Sequence, residues 1–178
     1  MPNPSSKVMR LEIPRGLIRD WELADAADLA ASANNRKIWL RLRDHMPHPY
    51  SVADALAYLQ RVAENESNQS FCLEVDGRAA GAIGLRVKED VHRYTAELGY
   101  WLAEEFWGCG IMSAAVRAFT AERFATSPLQ RIFAEVYADN PASARVLEKA
   151  GFEYEGRLRR NVVKDGKTLD SLVYAVVR

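Results

Sequence analysis

The stretch AELGYWLAEEFWGCGIMSAAVRAF, Ala96 to Phe119, decides the fold of this chain. A short apolar segment comes first, an amphipathic helical pattern comes last, and Gly108-Cys109-Gly110 lies at the junction. This order predicts a strand, a tight turn and a long helix. The first N–H groups of a helix have no internal partner, and glycine lets a phosphate approach them closely. The turn is therefore a candidate site for a pyrophosphate group.

A second segment, DNPASARVLEKAGFEYEG, runs from Asp139 to Gly156. Proline suits the first turn of a helix, and glycine suits the position just past its end. The pattern therefore predicts a short helix over Pro141 to Ala150, with Gly151 as its stop.

The remaining segments carry strand, helix and turn signals. Ser51 and Asp54 resemble a capping box that opens a helix reaching about Glu64, and Asp76-Gly77 is a hairpin turn. The other predicted elements are strands at Leu17–Arg19, Ser70–Val75, Arg78–Val87, Ala96–Leu102, Ile132–Val136, Phe152–Val163 and Thr168–Val177, helices at Ala24–Ala33 and Gly108–Ala125, and a loop over RDHMPHPYS.

Length and composition limit the possible functions. A chain of 178 residues fits one domain, which we expect at residues 11–178 after a loose tail at 1–10. Lys+Arg and Asp+Glu each number 24, which does not support a broad electrostatic grip on nucleic acid. Cys72 and Cys109 form no metal-spaced pair, so we expect reduced thiols in a cytoplasmic protein and no bound metal. No apolar run approaches membrane-spanning length, so we expect no membrane partner.

Three linked motifs, AELGYWL, WGCGIM and DNPxSxxVLxKxGFxxEG, resemble the GNAT superfamily of acyl-CoA-dependent N-acetyltransferases. The likeness is greatest to the branch of ribosomal-protein N-terminal acetyltransferases, RimJ and RimL. It implies one α+β domain, with a mixed, mostly antiparallel twisted sheet and helices on both faces. It also implies acetyl-CoA as co-substrate, an amine acceptor, and a monomer or homodimer.

The resemblance implies a role for particular residues in binding acetyl-CoA. The backbone N–H near Leu102 would stabilise the oxyanion, and Asn140 would hold the CoA arm unless it only caps a helix. Glu105 replaces the Gln or Arg that the family usually carries three residues before the first glycine. The pyrophosphate would lie among backbone N–H groups of Trp107, Gly108, Cys109, Gly110, Ile111 and Met112.

The resemblance also implies two catalytic residues. Glu97 would be the general base, with a pKa raised beside an apolar strand; the alternative is a strand glutamate paired with a neighbouring cation. The family's usual tyrosine acid is absent, because its place is Leu147. Ser143 is the substitute proposed for this branch, unless it is simply a small packing residue. An acidic residue proposed for RimL is not matched either, since Val162 stands there beside Asn161.

The acceptor is less determined than the donor. The branch likeness favours a protein N-terminal α-amine, and a small-molecule amine stays open. His45, His48 and Tyr50 lie in the proline-rich loop, which either borders an acceptor pocket or is ordinary surface. The alternative function is a non-catalytic CoA-binding regulatory or sensor domain. A dinucleotide-dependent reductase is disfavoured, because Ser113 replaces the third glycine of that fingerprint.

Overall fold

The computed structural model describes residues 8–64 and 69–178. Of the predicted tail at 1–10, residues 1–7 lie outside the described residues, Met9 is buried, and Arg10 begins the first strand. Among the described residues, no helix is both long enough and apolar enough to cross a membrane.

Eight strands form a single sheet in the order β1-β2-β3-β4-β5-β6-β8-β7. The neighbours β5 and β6 are parallel and every other pair is antiparallel, which confirms the predicted mixed sheet. The strands are β1 (Arg10–Ile13), β2 (Gly16–Arg19), β3 (Ser70–Val75), β4 (Arg78–Val87), β5 (Thr95–Leu102), β6 (Arg131–Tyr137), β7 (Glu153–Lys164) and β8 (Lys167–Val177). The helices are α1 (Ala26–Ala33), α2 (Arg36–Trp39), α3 (Val52–Glu64), α4 (Ile111–Thr126) and α5 (Pro141–Lys149).

Local sequence signals account for several of these boundaries. The backbone N–H of Ser51 donates to Asp54 Oδ2 at 2.9 Å, and the Asp54 N–H donates to Ser51 Oγ at 3.2 Å. This is the predicted capping box at the start of α3. The hairpin between β3 and β4 turns through Asp76 and Gly77, whose φ angles of 50° and 79° suit a tight two-residue connection.

The structure corrects three predicted elements. The chain forms a hairpin of β1 and β2 where only the second strand was predicted, and the four-residue α2 was not predicted at all. Elements this short carry too few residues to show a hydrophobic period. The long helix begins at Ile111 rather than Gly108, because Gly108 and Gly110 have φ of 75° and 77°, outside the helical region.

The two faces of the sheet are covered by different helices. The larger core joins the sheet to α4 and α5, and a smaller cluster joins α1 and α3. In β5, Ala96, Leu98 and Leu102 belong to the larger core, whereas Trp101 packs against the smaller cluster. Successive side chains of a strand point to opposite faces, so β5 contributes to both sides of the sheet.

The strands β5 and β6 stay together for only part of their length. Thr95 to Glu97 pair with Arg131 to Phe133, and beyond these residues the two strands are not paired. Each continues with its other neighbour, since β5 pairs with β4 through Leu102 and β6 pairs with β8 through Tyr137. The sheet therefore splits after Glu97, and the β6-facing edge of β5 borders an open cleft.

Candidate active site

A cleft of about 1510 Å³ occupies the split between β5 and β6. One end is formed by the Gly108–Gly110 turn and the start of α5, and the other by the loop that follows α2. Strands β4, β5 and β6 form its walls.

Open space faces the glycine turn at the start of α4. A Cβ added to Gly108 or Gly110 would meet no atom within 4 Å, so open space faces both residues. Gly110 is the N-cap of the 16-residue helix α4 and supplies no side-chain cap, which leaves the first N–H groups of α4 available. Trp107 Nε1 donates to the Leu102 carbonyl at 2.7 Å and ties the turn to β5.

Most of the residues predicted to bind acetyl-CoA line this cleft. The exception is Cys109, which is exposed with its Sγ 3.6 Å from the Trp107 carbonyl. Glu105, which replaces the family's usual Gln or Arg, forms an ion pair with Arg78 outside the cleft. The others that line it are Leu102, Trp107, Gly108, Gly110, Ile111, Met112 and Asn140.

Asn140 caps helix α5. Its Oδ1 accepts a hydrogen bond from the Ser143 backbone N–H at 3.3 Å, which is the structural role that the sequence allowed. Among residues 8–64 and 69–178 nothing accepts a hydrogen bond from its Nδ2, so one side of the amide can still serve a ligand in the cleft.

Ser143 contacts a tyrosine that the sequence analysis missed. The Tyr100 hydroxyl lies 2.7 Å from Ser143 Oγ and donates to the Ser143 carbonyl at 3.3 Å. Burial raises the pKa of the Tyr100 phenol, although its hydrogen bond with Ser143 acts in the opposite direction. Leu147, which occupies the family's tyrosine position, is fully buried in the core. A phenol therefore reaches the cleft from β5 instead of from α5.

Glu97 is held by three cations. Lys88 Nζ donates to its carboxylate at 2.9 Å and Arg86 donates at 2.5 Å, while Arg43 contacts the other oxygen. Burial alone would raise the pKa of Glu97, but these hydrogen bonds and charges outweigh it and lower that pKa below its ordinary value. The predicted raised pKa is therefore wrong, and the pairing with neighbouring cations is what the structure contains.

The loop after α2 covers the Glu97 end of the cleft. Arg43 binds Glu97, Asp44 accepts from Lys164 Nζ at 2.6 Å, and Tyr137 donates to the Leu42 carbonyl at 3.3 Å. These contacts attach the loop to β5, β6 and β7, so it forms a wall of the cleft.

The three aromatic loop residues divide between the cleft and the interior. His45 lines the cleft, and burial together with nearby cations, Arg43 among them, lowers the pKa of its imidazole. Tyr50 also lines the cleft but is largely buried, and burial raises its pKa to about 12. His48 stacks on Trp39 with ring centroids 5.7 Å apart and does not line the cleft.

A second carboxylate, Glu135 on β6, lines the cleft and was also missed. Its Oε2 accepts from Asn161 Nδ2 at 3.1 Å and from Ser171 Oγ at 3.4 Å. The hydrophobic period of β6 marks it as a polar-face residue, but sequence alone does not indicate that this face borders a cleft. In the described part of the chain, no group of three or more His, Cys, Asp or Glu side chains could hold a metal ion.

The side chains at the two ends of the cleft come from opposite faces of β5. Tyr100 lies on the same face of β5 as Leu98 and Leu102, and its hydroxyl contacts Ser143 on α5. Glu97 lies on the opposite face, as Trp101 does, and its carboxylate contacts Arg43 in the loop after α2. A group bound at the glycine turn and a group bound beside the loop can therefore meet where β5 and β6 separate.

Comparison with known proteins agrees with the family resemblance of the sequence motifs. Residues 15–153 match the family described as Acetyltransferase (GNAT) domain. The probable N-acetyltransferase YjcK of Bacillus subtilis is 32% identical over 90% of this chain and 92% of its own. The putative ribosomal N-acetyltransferase YdaF of the same organism is 35% identical over 58% of this chain and 56% of its own.

A solved structure extends the likeness to the fold. Mycobacterium smegmatis RimJ in complex with CoA-disulfide superposes with a TM-score of 0.82 at 28% identity, covering 96% of this chain and 86% of that one. The chain spans only about half the length of YdaF. Together with the family match, these likenesses confirm the resemblance stated from the sequence motifs.

Proposed function

This chain belongs to the GNAT acetyltransferase family, and from that membership we propose that it transfers an acetyl group from acetyl-CoA directly to an α-amine, most naturally a protein N-terminus. The observation that carries the proposal is the glycine turn at the start of α4, which opens onto a cleft where β5 and β6 separate. A phosphate-binding turn beside an exposed strand edge suits a long donor with a charged head and an amide-containing arm.

The chain's own residues suit the donor. The N–H groups after Gly110 would bind the pyrophosphate, and the free edge of β5 near Leu102 would pair with the amides of the arm. Open space beyond Gly108 and Gly110 is compatible with close approach of that group. The likeness to RimJ, which was solved with CoA-disulfide, supports the same use of the cleft.

The charge around Glu97 favours a particular type of amine. Arg43, Arg86 and Lys88 surround Glu97, and with the second cleft carboxylate, Glu135, counted as well, one positive charge is in excess there. If the acceptor carried a second positive charge about 8 Å from this cluster, repulsion would weaken its binding by roughly 2 kcal/mol per excess charge, at an effective dielectric constant of 20. Because α-amines have pKa values near 7.7–8.0 and lysine amines near 10.4, α-amines are neutral more often at working pH. Polyamines and lysine side chains are therefore disfavoured.

The name of YdaF, a putative ribosomal N-acetyltransferase, and the likeness to RimJ support a protein as the carrier of that α-amine. On the donor side, Ser143 with Tyr100 would offer a hydroxyl to the departing thiolate. A thiolate is itself a tolerable leaving group, so this help would be modest. Glu97 as the base stays a prediction, weakened by its lowered pKa.

The experiment is acetyl-CoA consumption, followed as released thiol and verified by the mass of the acetylated product. One peptide with a free α-amine is compared with the same peptide blocked at its N-terminus and carrying a lysine, and with spermidine, amino acids and aminoglycosides. We expect turnover of the free α-amine to be at least tenfold faster than that of the lysine amine.

Equal or faster turnover of the blocked lysine peptide or of spermidine would contradict the acceptor assignment. The alternative function, a non-catalytic CoA-binding sensor, rests on Leu147 in place of the family's tyrosine acid and on Glu105 in place of its Gln or Arg. The pairing of Glu97 with cations also favours it. It would be supported by acetyl-CoA binding without turnover of any acceptor. Absence of acetyl-CoA binding would contradict both functions.

A further inference from the structure

We propose that the buried amine of Lys164, the last residue of β7, positions the loop after α2 (residues 40–50) over the acceptor side of the cleft and thereby sets the affinity for the acceptor; this rests on the proposed transferase function. Lys164 acts through the loop, so it is a positioning residue. The contact through which it acts is the carboxylate of Asp44.

The surroundings of the Lys164 amine are unusual for a lysine. The side chain is only 2% exposed, and its Nζ lies 2.6 Å from Asp44 Oδ1 and 3.7 Å from the centroid of the Trp39 ring. A buried ammonium costs free energy unless a counter-charge or hydrogen-bond acceptor compensates it. Trp39 ends α2 and Asp44 lies in the loop, so the same segment that covers the amine also compensates its charge.

The two partners of this ion pair are buried to very different extents. The Asp44 side chain is 71% exposed, so water already solvates most of it. Removing one partner of a buried pair is strongly destabilising, because it leaves the other charge buried and uncompensated. Without the Asp44 carboxylate, the Lys164 amine can return to water when the loop opens. Loss of that carboxylate should therefore open the loop rather than unfold the protein.

The position of the loop matters for the acceptor because the loop lines its side of the cleft with His45, Met46 and Tyr50. Trp39 Nε1 donates to the Met46 carbonyl at 3.1 Å, so the ring that lies against the Lys164 amine also holds a cleft-lining residue. The glycine turn lies at the other end of the cleft. Movement of the loop should therefore weaken acceptor binding and leave acetyl-CoA binding unchanged.

A second ion pair joins the same two segments and provides a matched control. Arg36 on α2 donates to Asp165, the residue after Lys164, at 2.6 Å. The Arg36 and Asp165 side chains are both exposed, so their ion pair should contribute little. The proposal therefore predicts different effects for the loss of two neighbouring aspartates.

The test measures KM for an α-amine peptide, kcat, and acetyl-CoA affinity by calorimetry. Asp44→Asn should raise KM for the peptide by about tenfold, because the apparent affinity falls with the fraction of molecules whose loop is closed. Both kcat at saturating peptide and acetyl-CoA affinity should stay within threefold of wild type. Asp165→Asn should change KM by less than twofold.

A rescue variant separates the buried charge from other effects of Asp44→Asn. Adding Lys164→Met gives an apolar side chain of similar length that can pack on Trp39 and has no charge to bury. Replacing a buried ion pair by apolar residues is often neutral, so the double variant should return KM to within threefold of wild type. Hydrogen exchange of residues 40–50 should be faster in Asp44→Asn and return toward the wild-type rate in the double variant.

Three results would each overturn the assignment: a KM within twofold of wild type in Asp44→Asn, an equal rise in Asp165→Asn, or a double variant no better than Asp44→Asn. A fall in acetyl-CoA affinity as large as the rise in KM would show a general structural role instead. A wild type that acetylates no amine would contradict the proposed function, whereas hydrogen exchange would still test the contact between Lys164 and the loop without any acceptor.

Discussion

Replacing Glu97 by glutamine removes the single negative charge that three cations share, and the cost to folding can be worked out from the structure. The Glu97 side chain is 11% exposed, while those of Arg43, Arg86 and Lys88 are 48%, 58% and 34% exposed. An exposed ion pair contributes about 0.2–1 kcal/mol, and breaking a fully buried pair costs about 3–5 kcal/mol. A buried carboxylate with exposed partners lies between these limits, so we expect a loss of about 2 kcal/mol.

That loss should be visible in thermal unfolding. For a chain of this size, 1 kcal/mol changes Tm by about 2–4 °C, so Glu97→Gln should melt about 4–8 °C below wild type at pH 7. The matched control is Glu153→Gln, because Glu153 is an exposed strand residue that makes no ion pair in the described part of the chain. Its Tm should change by less than 2 °C.

The pH dependence of this difference has a definite sign. The folded protein lowers the pKa of Glu97 below its ordinary value of 4.5, so the ion pairs stabilise the fold fully above that value. The difference in Tm between wild type and Glu97→Gln should be constant from pH 7 to about pH 5 and shrink as pH falls through the lowered pKa. It should also shrink in 1 M NaCl, where the screening length is about 3 Å. A variant as stable as wild type at pH 7, or a difference that grows on acidification, would refute this account.

Two further predictions concern the donor end of the cleft. Gly110→Ala places a side chain at φ 77° in the cleft, so it should weaken acetyl-CoA binding at least tenfold by calorimetry. The control Gly166→Ala lies at φ 73° in the β7–β8 hairpin, away from the glycine turn, so it should strain the backbone similarly and leave affinity unchanged. Equal affinity of both variants would contradict the phosphate site. Tyr100→Phe and Ser143→Ala should each lower kcat by about 3–10-fold. Because the two hydroxyls act as one hydrogen-bonded unit, the double variant should lose no more activity than the more affected single variant. Fully additive losses would show that they act independently.

Sequence predicts the parts of this fold that depend on neighbouring residues. The capping box at Ser51 and the hairpin at Asp76-Gly77 are specified within four residues, and the structure has both. The strand β1 and the helix α2 have four residues each and show no usable period. The separation of β5 from β6 is a long-range event, because it depends on where each strand leaves one partner and keeps the other.

The same distinction holds for the candidate site. The glycine turn is local, so its geometry follows from the positions of Gly108 and Gly110. The pKa of Glu97 does not follow from its local sequence, because burial raises it and hydrogen bonds from Arg86 and Lys88, with the charge of Arg43, outweigh that effect. Arg43 reaches Glu97 from 54 positions away. The hydroxyl of Tyr100 meets Ser143 from 43 positions away, so a search limited to the helix after Asn140 finds no phenol.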